Sequence, residues 1–162
     1  MDYSIRPARP DDAPFLADML VEAANWTGGS SRTRVDVLAE EATRRYIAGW
    51  PRAGDLGSVA ATADGERIGA CWTRLFTSAV PGKGFIAAGV PELTLGVRPV
   101  YRAQGIGRAL VRAAMSDARA AGYARISLNV SRDNFARRLY ISEGFTVVAD
   151  RGDAETMVAL LR

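Results

Sequence analysis

The sequence predicts one α/β domain spanning residues 1–162, and three observations carry that prediction. Segments in which apolar and polar residues alternate, typical of strands, are interleaved with segments whose apolar residues recur at helical spacing. An Asp64-Gly65 pair between two strand-like segments is typical of a β-hairpin. The chain has 162 residues, 48% of them hydrophobic, which is enough to bury roughly 70% of the unfolded surface around one core.

In the first half of the chain, a strand, two helices and a hairpin are predicted in that order. The first helix follows Asp11 and Asp12, which are favourable N-cap residues, and a loop rich in glycine and serine separates it from the second helix. The predicted ranges are 3–8 for the strand, up to residue 24 and 33–48 for the helices, and 58–63 and 67–76 for the hairpin strands.

In the second half, a strand–turn–helix unit is followed by a strand, a helix and two more strands. The central strand begins between Phe85 and Glu92 and ends at Val97. The next helix runs from Gly105 to about residue 121, and Gly122 is typical of the residue that ends a helix. The remaining predicted ranges are 126–130, 134–142, 145–149 and 156–161.

The composition excludes several kinds of chemistry. The absence of histidine removes a Ser-His or Cys-His dyad and the commonest metal ligand, so proton transfer must use carboxylates, tyrosine or water. The single cysteine, Cys71, lies among apolar residues and is expected to be a core thiol, and no intramolecular disulfide can form. The net charge of +3, with arginines dispersed and Lys83 as the only lysine, does not indicate nucleic-acid binding.

The chain also carries no pattern that indicates a membrane or secretion. No apolar run approaches the ~18 residues of a membrane span, and the N-terminus lacks a signal-peptide pattern. We therefore expect a cytoplasmic protein without a membrane partner.

The turn after the central strand is typical of an anion-binding site. A helix begins after Gly105, so its unpaired N–H groups and the positive end of its dipole face the turn. Gly105 and Gly107 let a ligand approach the backbone, and Arg102 and Arg108 add charge. A phosphate or pyrophosphate fits such a site. The P-loop lysine and hydroxyl are missing, and Leu110 replaces the third glycine of a dinucleotide fingerprint.

Two motifs resemble the signatures of the GNAT superfamily of N-acetyltransferases. Arg102-Ala-Gln-Gly105-Ile-Gly107 resembles the RxxGxG acetyl-CoA motif, and Asn134 to Phe145 is similar to N-x-x-A-x-x-L-Y-x-x-x-G-F. The resemblance implies a mixed, mostly antiparallel sheet of six to seven strands with about four helices, opened between the central strand and the strand 126–130. It also implies acetyl-CoA as co-substrate, no metal, and direct attack by an amine in a ternary complex.

The same resemblance implies which residues bind the cofactor. Backbone N–H groups of the central strand would contact the pantetheine arm and the thioester carbonyl, and Asn134 would hydrogen-bond this arm or cap its own helix. The residues expected to bind acetyl-CoA are Leu95, Gly96, Val97, Arg102, Ala103, Gln104, Gly105, Ile106, Gly107, Arg108, Asn134 and Arg137.

Two residues match catalytic positions of the family. Tyr140 matches a tyrosine that acts as general acid toward the leaving thiolate, and Phe135 and Leu139 are expected in the core so that Tyr140 points into the opening. Glu92 matches a glutamate that, in several members, deprotonates the amine through water. The alternatives are a packed core tyrosine and an exposed strand carboxylate.

Trp26 and Asn129 are the candidates for contact with the acceptor. Trp26 lies in the loop between the first two helices, where a packed anchor is the alternative, and Asn129 ends the strand 126–130. The acceptor, a small-molecule or peptide amine, is undetermined, and a homodimer is left open. The rival function is a catalytically weak CoA-binding sensor or partner-binding domain.

Overall fold

Seven strands form one sheet in the computed structural model, which describes residues 2–26 and 32–161. The strands are β1 Tyr3–Pro7, β2 Leu56–Thr62, β3 Arg67–Arg74, β4 Glu92–Val97, β5 Arg125–Ser131, β6 Thr146–Asp150 and β7 Ala154–Leu160. The helices are α1 Ala13–Ala24, α2 Arg34–Ala39, α3 Glu41–Arg44, α4 Ile106–Ala120 and α5 Ala136–Ser142. The strand order is β1-β2-β3-β4-β5-β7-β6. The predicted α+β fold class is confirmed, with five helices among the described residues instead of about four.

The sheet opens between β4 and β5. On one side, β4 pairs antiparallel with β3 along its whole length, from Glu92 opposite Arg74 to Val97 opposite Gly69. On the other side, β4 runs parallel to β5 and meets it at one pair, Glu92 with Ser127. The two strands separate beyond that pair, which leaves a gap in the sheet along the rest of β4. The predicted opening is therefore present.

The two faces of the sheet carry different helices and different cores. Successive residues of a strand point to opposite faces, and Leu93, Leu95 and Val97 pack with α4 and α5 in the larger core. Glu92 and Thr94 lie on the other face, opposite Arg74 and Trp72 of β3, where α1 covers the sheet. We call these the α4 face and the α1 face.

The second predicted helix, over residues 33–48, is wrong as one element. It consists of the short helices α2 and α3, separated at Glu40, whose backbone is extended with ψ of 115°. The Glu40 carbonyl accepts a hydrogen bond of 3.0 Å from the Thr43 N–H, and its carboxylate accepts one of 3.2 Å from the Thr43 hydroxyl. Glu40 therefore ends one helix and caps the next, and the apolar spacing in the sequence does not reveal this break.

Gly96 fixes how closely α1 packs on β4. A Cβ atom at this position would lie 2.4 Å from the Met19 carbonyl oxygen and 2.9 Å from the Met19 Cβ. No side chain fits between such close atoms, so the packing of α1 accounts for the glycine. The backbone of Gly96 is still available to a ligand.

Two expectations from the composition concern single features of the structure. Cys71 is completely buried in the larger core, which confirms it as a core thiol, and burial raises its pKa. Among residues 2–26 and 32–161, no helix combines the length and the apolar character that crossing a membrane requires.

Candidate active site

A cleft of about 780 Å³ lies where β4 and β5 separate. This volume is within the range of small-molecule and cofactor sites, roughly 300–1,000 Å³. Most of the residues predicted from the sequence line it: Trp26, Glu92, Leu95, Gly96, Val97, Arg102, Ala103, Gly105, Gly107, Arg108, Asn129, Asn134 and Tyr140.

The turn between β4 and α4 directs backbone N–H groups toward one end of the cleft. Ala103 and Gly105 both have positive φ angles, 61° and 83°, so the chain reverses tightly before the helix. The first hydrogen bond inside α4 runs from the Ala109 N–H to the Gly105 carbonyl, at 3.1 Å. The N–H groups of residues 106–108 precede that bond and have no acceptor within the helix. The predicted anion site depends on these N–H groups.

Gly107 has no packing reason to be glycine. A Cβ atom there would make ordinary contacts, 3.5 Å from Leu139 and 3.6 Å from Leu95. A Cβ atom at position 105 would meet nothing within 4 Å, but the positive φ angle of Gly105 favours glycine there. The space above Gly107 is therefore open to a group that must lie against the helix N-terminus, and a phosphate is such a group.

The arginines beside this turn are paired with carboxylates. Arg102 donates to the Val97 carbonyl at 3.2 Å and to Glu22 at 3.3 Å. Arg108 donates to Ser142 at 2.9 Å and to Glu143. The expectation of full positive charge beside the turn needs correction, because each arginine shares its charge with a carboxylate that the sequence pattern did not connect to the turn.

Three residues predicted to bind the cofactor do not line the cleft. Ile106 is 1% exposed and packs in the larger core, so only its backbone N–H faces a ligand. The Gln104 amide donates to the Val100 carbonyl at 3.4 Å. Arg137 donates to Glu155 at 2.6 Å, which holds its guanidinium against β7. For Gln104 and Arg137, neighbouring acceptors outside the cleft hold the polar groups.

Asn134 adopts one of its two predicted roles. Its side-chain oxygen accepts a hydrogen bond of 2.9 Å from the Ala136 N–H, at the first turn of α5. This contact caps the helix, as short polar side chains commonly do. Asn134 also lines the cleft, so capping fixes its side chain at the edge of the site.

Glu92 is buried, so the alternative of an exposed strand carboxylate is wrong. The residue is 2% exposed. Its Oε2 atom accepts hydrogen bonds from the Tyr46 hydroxyl and from the Gly84 N–H, the latter at 3.1 Å. Its Oε1 atom is buried without a hydrogen-bond partner among residues 2–26 and 32–161, and it lies against Gly82, where an added Cβ would be 2.2 Å away.

Burial gives the Glu92 carboxyl an unusual acidity. Loss of hydration disfavours the charged form and raises the pKa of Glu92 from 4.5 to about 7. The hydrogen bonds from Tyr46 and Gly84 oppose this shift, as do the positive charges of Lys83 and Arg151. A carboxyl group with a pKa near 7 is divided between its acid and base forms at neutral pH.

Tyr46, which the sequence did not identify as a site residue, is held in place by buried contacts. Its hydroxyl accepts a hydrogen bond of 2.6 Å from the Lys83 N–H, and its carbonyl accepts one of 2.9 Å from the indole of Trp72. Arg74 donates to the carbonyls of Arg45 and Ala48 at 3.0 and 2.7 Å, on either side of Tyr46.

The Arg74 guanidinium pairs with Asp55 at 2.7 Å, and both side chains are 1% exposed. A buried ion pair therefore anchors the turn that carries Tyr46. In the sequence, Tyr46 and Glu92 are 46 positions apart, and no local pattern connects residues at that distance.

Lys83 also lines the cleft, beside Glu92 and Asn129, and its flanking glycines pack closely against the neighbouring strands. Gly84 lies directly on β5, since an added Cβ would be 2.7 Å from the Leu128 carbonyl carbon. Gly82 lies against Glu92 in the same way. The sequence did contain a signal here, because two glycines flank the only lysine of the chain.

Tyr140 is packed in the core and also lines the cleft. It is 6% exposed, and its ring lies edge-to-face with Phe145 at 5.8 Å between centroids. The expectation that Phe135 packs in the core is wrong, because Phe135 is 89% exposed. Burial raises the pKa of Tyr140, with a smaller contribution from Cys71, so its hydroxyl stays protonated at neutral pH.

Glu92 and Tyr140 approach the cleft from opposite sides of the sheet. Glu92 lies on the α1 face with Tyr46, whereas Tyr140 packs in the core of the α4 face. Asn129 alternates with the core residues Leu128 and Val130 of β5, so it shares the face of Glu92. The cleft therefore has a carboxylate side and a hydroxyl side, joined through the gap between β4 and β5.

The fold and motifs agree with comparisons to known proteins. The PaiA N-acetyltransferase from Thermoplasma acidophilum, solved in complex with coenzyme A, is 22% identical and superposes with a TM-score of 0.68 over 99% of both chains. YncA from Salmonella typhimurium, solved with its cofactor acetyl-CoA, is 22% identical with a TM-score of 0.68, covering 100% of this chain and 95% of that one. The ribosomal-protein-S18-alanine N-acetyltransferase from Escherichia coli is 19% identical with a TM-score of 0.67, covering 99% and 94%.

Sequence comparison identifies the family. No curated protein sequence matches the chain significantly. The structural neighbours, all below 25% identity, establish the fold. The sequence profile of the Acetyltransferase (GNAT) family matches residues 21–145, which include both motifs and the central strand, and the chain therefore belongs to the GNAT family of acetyltransferases.

Proposed function

We propose that the protein transfers an acetyl group from acetyl-CoA to a primary amine, by direct attack of the amine within a ternary complex. One observation carries this proposal: a buried carboxyl with a pKa near 7 and a protonated tyrosine face the same cleft from opposite sides of the sheet. The anion site at the helix α4 N-terminus lies at one end of that cleft.

The donor end of the cleft fits acetyl-CoA. The N–H groups of residues 106–108 bind the pyrophosphate, with the space above Gly107 left open for it. In the part of the chain that the structure describes, the edge of β4 that faces β5 pairs with another strand only at Glu92, so its other backbone groups are available to the pantetheine arm. When bound, acetyl-CoA supplies a thioester whose carbonyl carbon accepts the amine.

Glu92 acts as the base for the acceptor amine. An alkyl amine has a pKa near 10.4, so its neutral form at pH 7 costs about 4.6 kcal/mol to populate. A base works best when its pKa lies near the operating pH, and burial brings the pKa of Glu92 to about 7. Tyr46 and the Gly84 N–H fix one carboxylate oxygen, while the Oε1 atom without a partner is able to accept a proton.

Tyr140 donates a proton to the leaving sulfur. Its raised pKa keeps the hydroxyl protonated, so it is a donor and not a base. A thiol in water has a pKa near 8.5, which would make proton transfer from tyrosine uphill. Burial in the cleft disfavours a thiolate for the same reason that it disfavours a tyrosinate, so the two pKa values come closer together.

The network around Glu92 favours an enzyme over a CoA-binding sensor. A buried carboxylate oxygen without a partner lowers the stability of the fold, and binding of CoA to the α4 turn does not require it. Nor does a sensor require a carboxyl group tuned by Tyr46 to titrate near neutral pH.

A screen of primary amines with acetyl-CoA tests the proposal. Release of free thiol is measured for wild type and for a Glu92→Gln, Tyr140→Phe double variant, and acetyl-CoA binding is measured for both by calorimetry. We expect amine-dependent thiol release by wild type alone and acetyl-CoA binding by both proteins. Binding without turnover for any amine would identify the protein as a sensor, and absence of binding would refute the donor site.

A further inference from the structure

A second pocket of about 480 Å³ lies on the α1 face, beside the cleft. It is lined by residues of the loop before β4, of β5, of the chain segment between β6 and β7, and of the start of β7: Pro81, Gly82, Lys83, Phe85, Asn129, Arg151 and Ala154. Lys83 and Asn129 line both the pocket and the cleft. The pocket is therefore adjacent to the carboxylate side of the site, across from the helix that binds the donor.

Two positive charges line this pocket, and neither forms an ion pair with a carboxylate that the structure describes. Among residues 2–26 and 32–161, no ion pair involves Lys83 or Arg151. Asp150 of β6 and Glu155 of β7, which flank the segment that carries Arg151, pair with Arg132 and Arg137 instead. Arg151 donates its Nε hydrogen to Thr156 at 3.0 Å, which orients the guanidinium. Most other arginines of the site region have carboxylate partners, so this pocket differs from the donor end.

The pocket walls are held in position. The Lys83 N–H is fixed on the Tyr46 hydroxyl at 2.6 Å, and Gly84 lies on the backbone of β5. The remaining lining is largely apolar, from Pro81, Phe85 and Ala154. Lys83 and Arg151 also lie close enough to Glu92 to lower its pKa against the effect of burial. An anionic group bound to these two residues is therefore near the proposed base.

We propose that the acceptor is a primary amine that carries a carboxylate, and that this pocket binds the carboxylate between Lys83 and Arg151 while the amine lies beside Glu92. This inference rests on the proposed acetyltransferase function. A guanidinium and an ammonium group suit a carboxylate, with charge-assisted hydrogen bonds from each. The apolar lining suits the hydrocarbon part of a small amino acid better than it suits an acceptor with a second charged group.

The acceptor ammonium gives one proton to the Glu92 carboxylate, which later releases it to solvent. The neutral nitrogen then forms a bond to the acetyl carbonyl carbon as the carbon–sulfur bond breaks. The sulfur leaves as a thiol with the proton from Tyr140, and the second nitrogen proton passes through solvent to restore the Tyr140 hydroxyl. The carboxylate of the acceptor is unchanged and serves only to place the amine.

Matched acceptor pairs test the inference. Each of the common amino acids is compared with its carboxamide, which keeps the side chain and the amine and removes the negative charge. We expect wild type to prefer at least one acid over its amide by ~10-fold or more in kcat/KM. Lys83→Gln and Arg151→Gln should each lower kcat/KM for that acid by ~10-fold more than for the amide, mainly through KM. Arg119→Gln, on the exposed face of α4, is the matched control.

The outcomes distinguish a failure of the carboxylate assignment from a failure of the proposed acetyltransferase function. Equal use of acids and amides, or equal losses with both in the variants, would overturn the carboxylate assignment while leaving the acetyltransferase in place. Absence of thiol release with every amine would instead contradict the proposed function. In that case thermal unfolding of wild type with each amino acid or its carboxamide still tests the pocket, because a bound ligand raises the midpoint. Equal unfolding midpoints with every amino acid and its carboxamide would overturn the carboxylate assignment.

Discussion

The donor end and the acceptor end of the cleft are built in different ways. The donor end is formed by two continuous stretches, the β4–α4 turn and the start of α5. The acceptor end is formed by side chains from five separated parts of the chain: Tyr46, Lys83, Glu92, Asn129 and Arg151. The donor end therefore depends on local backbone geometry, and the acceptor end depends on tertiary packing.

The two ends also differ in how they treat charge. At the donor end, Arg102 pairs with Glu22 at the surface, where an exposed ion pair contributes little to stability, and the half-exposed Arg108 pairs with Glu143. At the acceptor end, Glu92 is buried, and none of the described residues forms a hydrogen bond with one of its two oxygens. Changes at the acceptor end should therefore alter stability and pH dependence, whereas changes at the donor end should alter affinity.

The largest expected effect is on stability, in Glu92→Gln. The pKa of Glu92 is about 7 in the folded protein and near 4.5 when unperturbed. Between these values the unfolded chain loses the proton and the folded protein keeps it, so wild-type stability falls as pH rises. The full difference is about 3 kcal/mol, at 1.36 kcal/mol per pKa unit. Glutamine does not titrate. Between pH 4.5 and pH 8, the free energy of unfolding of the variant should therefore rise by this amount relative to that of wild type.

Chemical unfolding of both proteins at the two pH values measures this gain. Aspartates and glutamates with lowered pKa values, such as Glu143, lose their contribution only at lower pH and are common to both proteins. A stability difference that does not change with pH would mean that folding does not raise the pKa of Glu92.

The next largest effect is expected for Tyr140→Phe, at the junction of the two ends. The ring keeps its edge-to-face contact with Phe145, and only the hydroxyl is removed. Loss of a general acid typically costs 10²–10⁴-fold in rate, whereas loss of a neutral hydrogen bond costs about 0.5–1.5 kcal/mol. We expect a kcat at least ~10²-fold lower in single-turnover experiments, with acetyl-CoA affinity nearly unchanged. A loss below about 5-fold would mean that the sulfur takes its proton from water.

The sequence predicts the donor end well because its signals are local. Gly105 and Gly107 follow a strand at a fixed spacing, and that spacing determines where the N–H groups of the helix point. Asn134 and Tyr140 likewise belong to one continuous motif. The partners of the arginines, Glu22 and Glu143, were not predicted, because ion pairs between distant segments depend on how the helices pack.

The sequence predicts little of the acceptor end. Glu92 could be placed on the central strand, but its burial depends on Tyr46 and on the loop around Lys83. Tyr46 falls in a segment predicted as one long helix, and the break at Glu40 redirects it toward the site. Phe135 was expected in the core on the basis of its hydrophobicity, yet it is exposed at the cleft. Each of these features depends on contacts between residues far apart in the chain.

A donor-end substitution should weaken binding without altering the acceptor end. Gly107→Glu places a carboxylate where the phosphate is expected, and the fold tolerates a Cβ there because the nearest atoms are 3.5 Å away. We expect acetyl-CoA affinity to fall by at least ~10-fold, about 1.4 kcal/mol, in calorimetry. Gly107→Ala adds the Cβ without the charge and is the matched control, with a smaller loss. Unchanged affinity in a folded Gly107→Glu variant would contradict the donor site.

The smallest effect is expected for Tyr46→Phe, which leaves Glu92 in place and removes one of its hydrogen bonds. The ring keeps its edge-to-face packing on Phe76, at 5.0 Å between centroids. The Tyr46 hydroxyl donates to the ionised carboxylate and so lowers the pKa of Glu92. Without that donor the pKa should rise above 7, by roughly half to one unit if the bond is worth about 0.5–1.5 kcal/mol.

This shift appears in the pH profile of kcat/KM, whose acidic limb reports the pKa of the base in the free enzyme. A proposed base that is harder to ionise moves this limb to higher pH, so the variant loses most activity below pH 7 and recovers in alkaline solution. Tyr123→Phe, which removes a hydroxyl from the opposite core, should leave the limb where it is in wild type. A limb that stays in place in a folded Tyr46→Phe variant would mean that the titrating group is not Glu92, because no other change in this variant compensates for the lost donor.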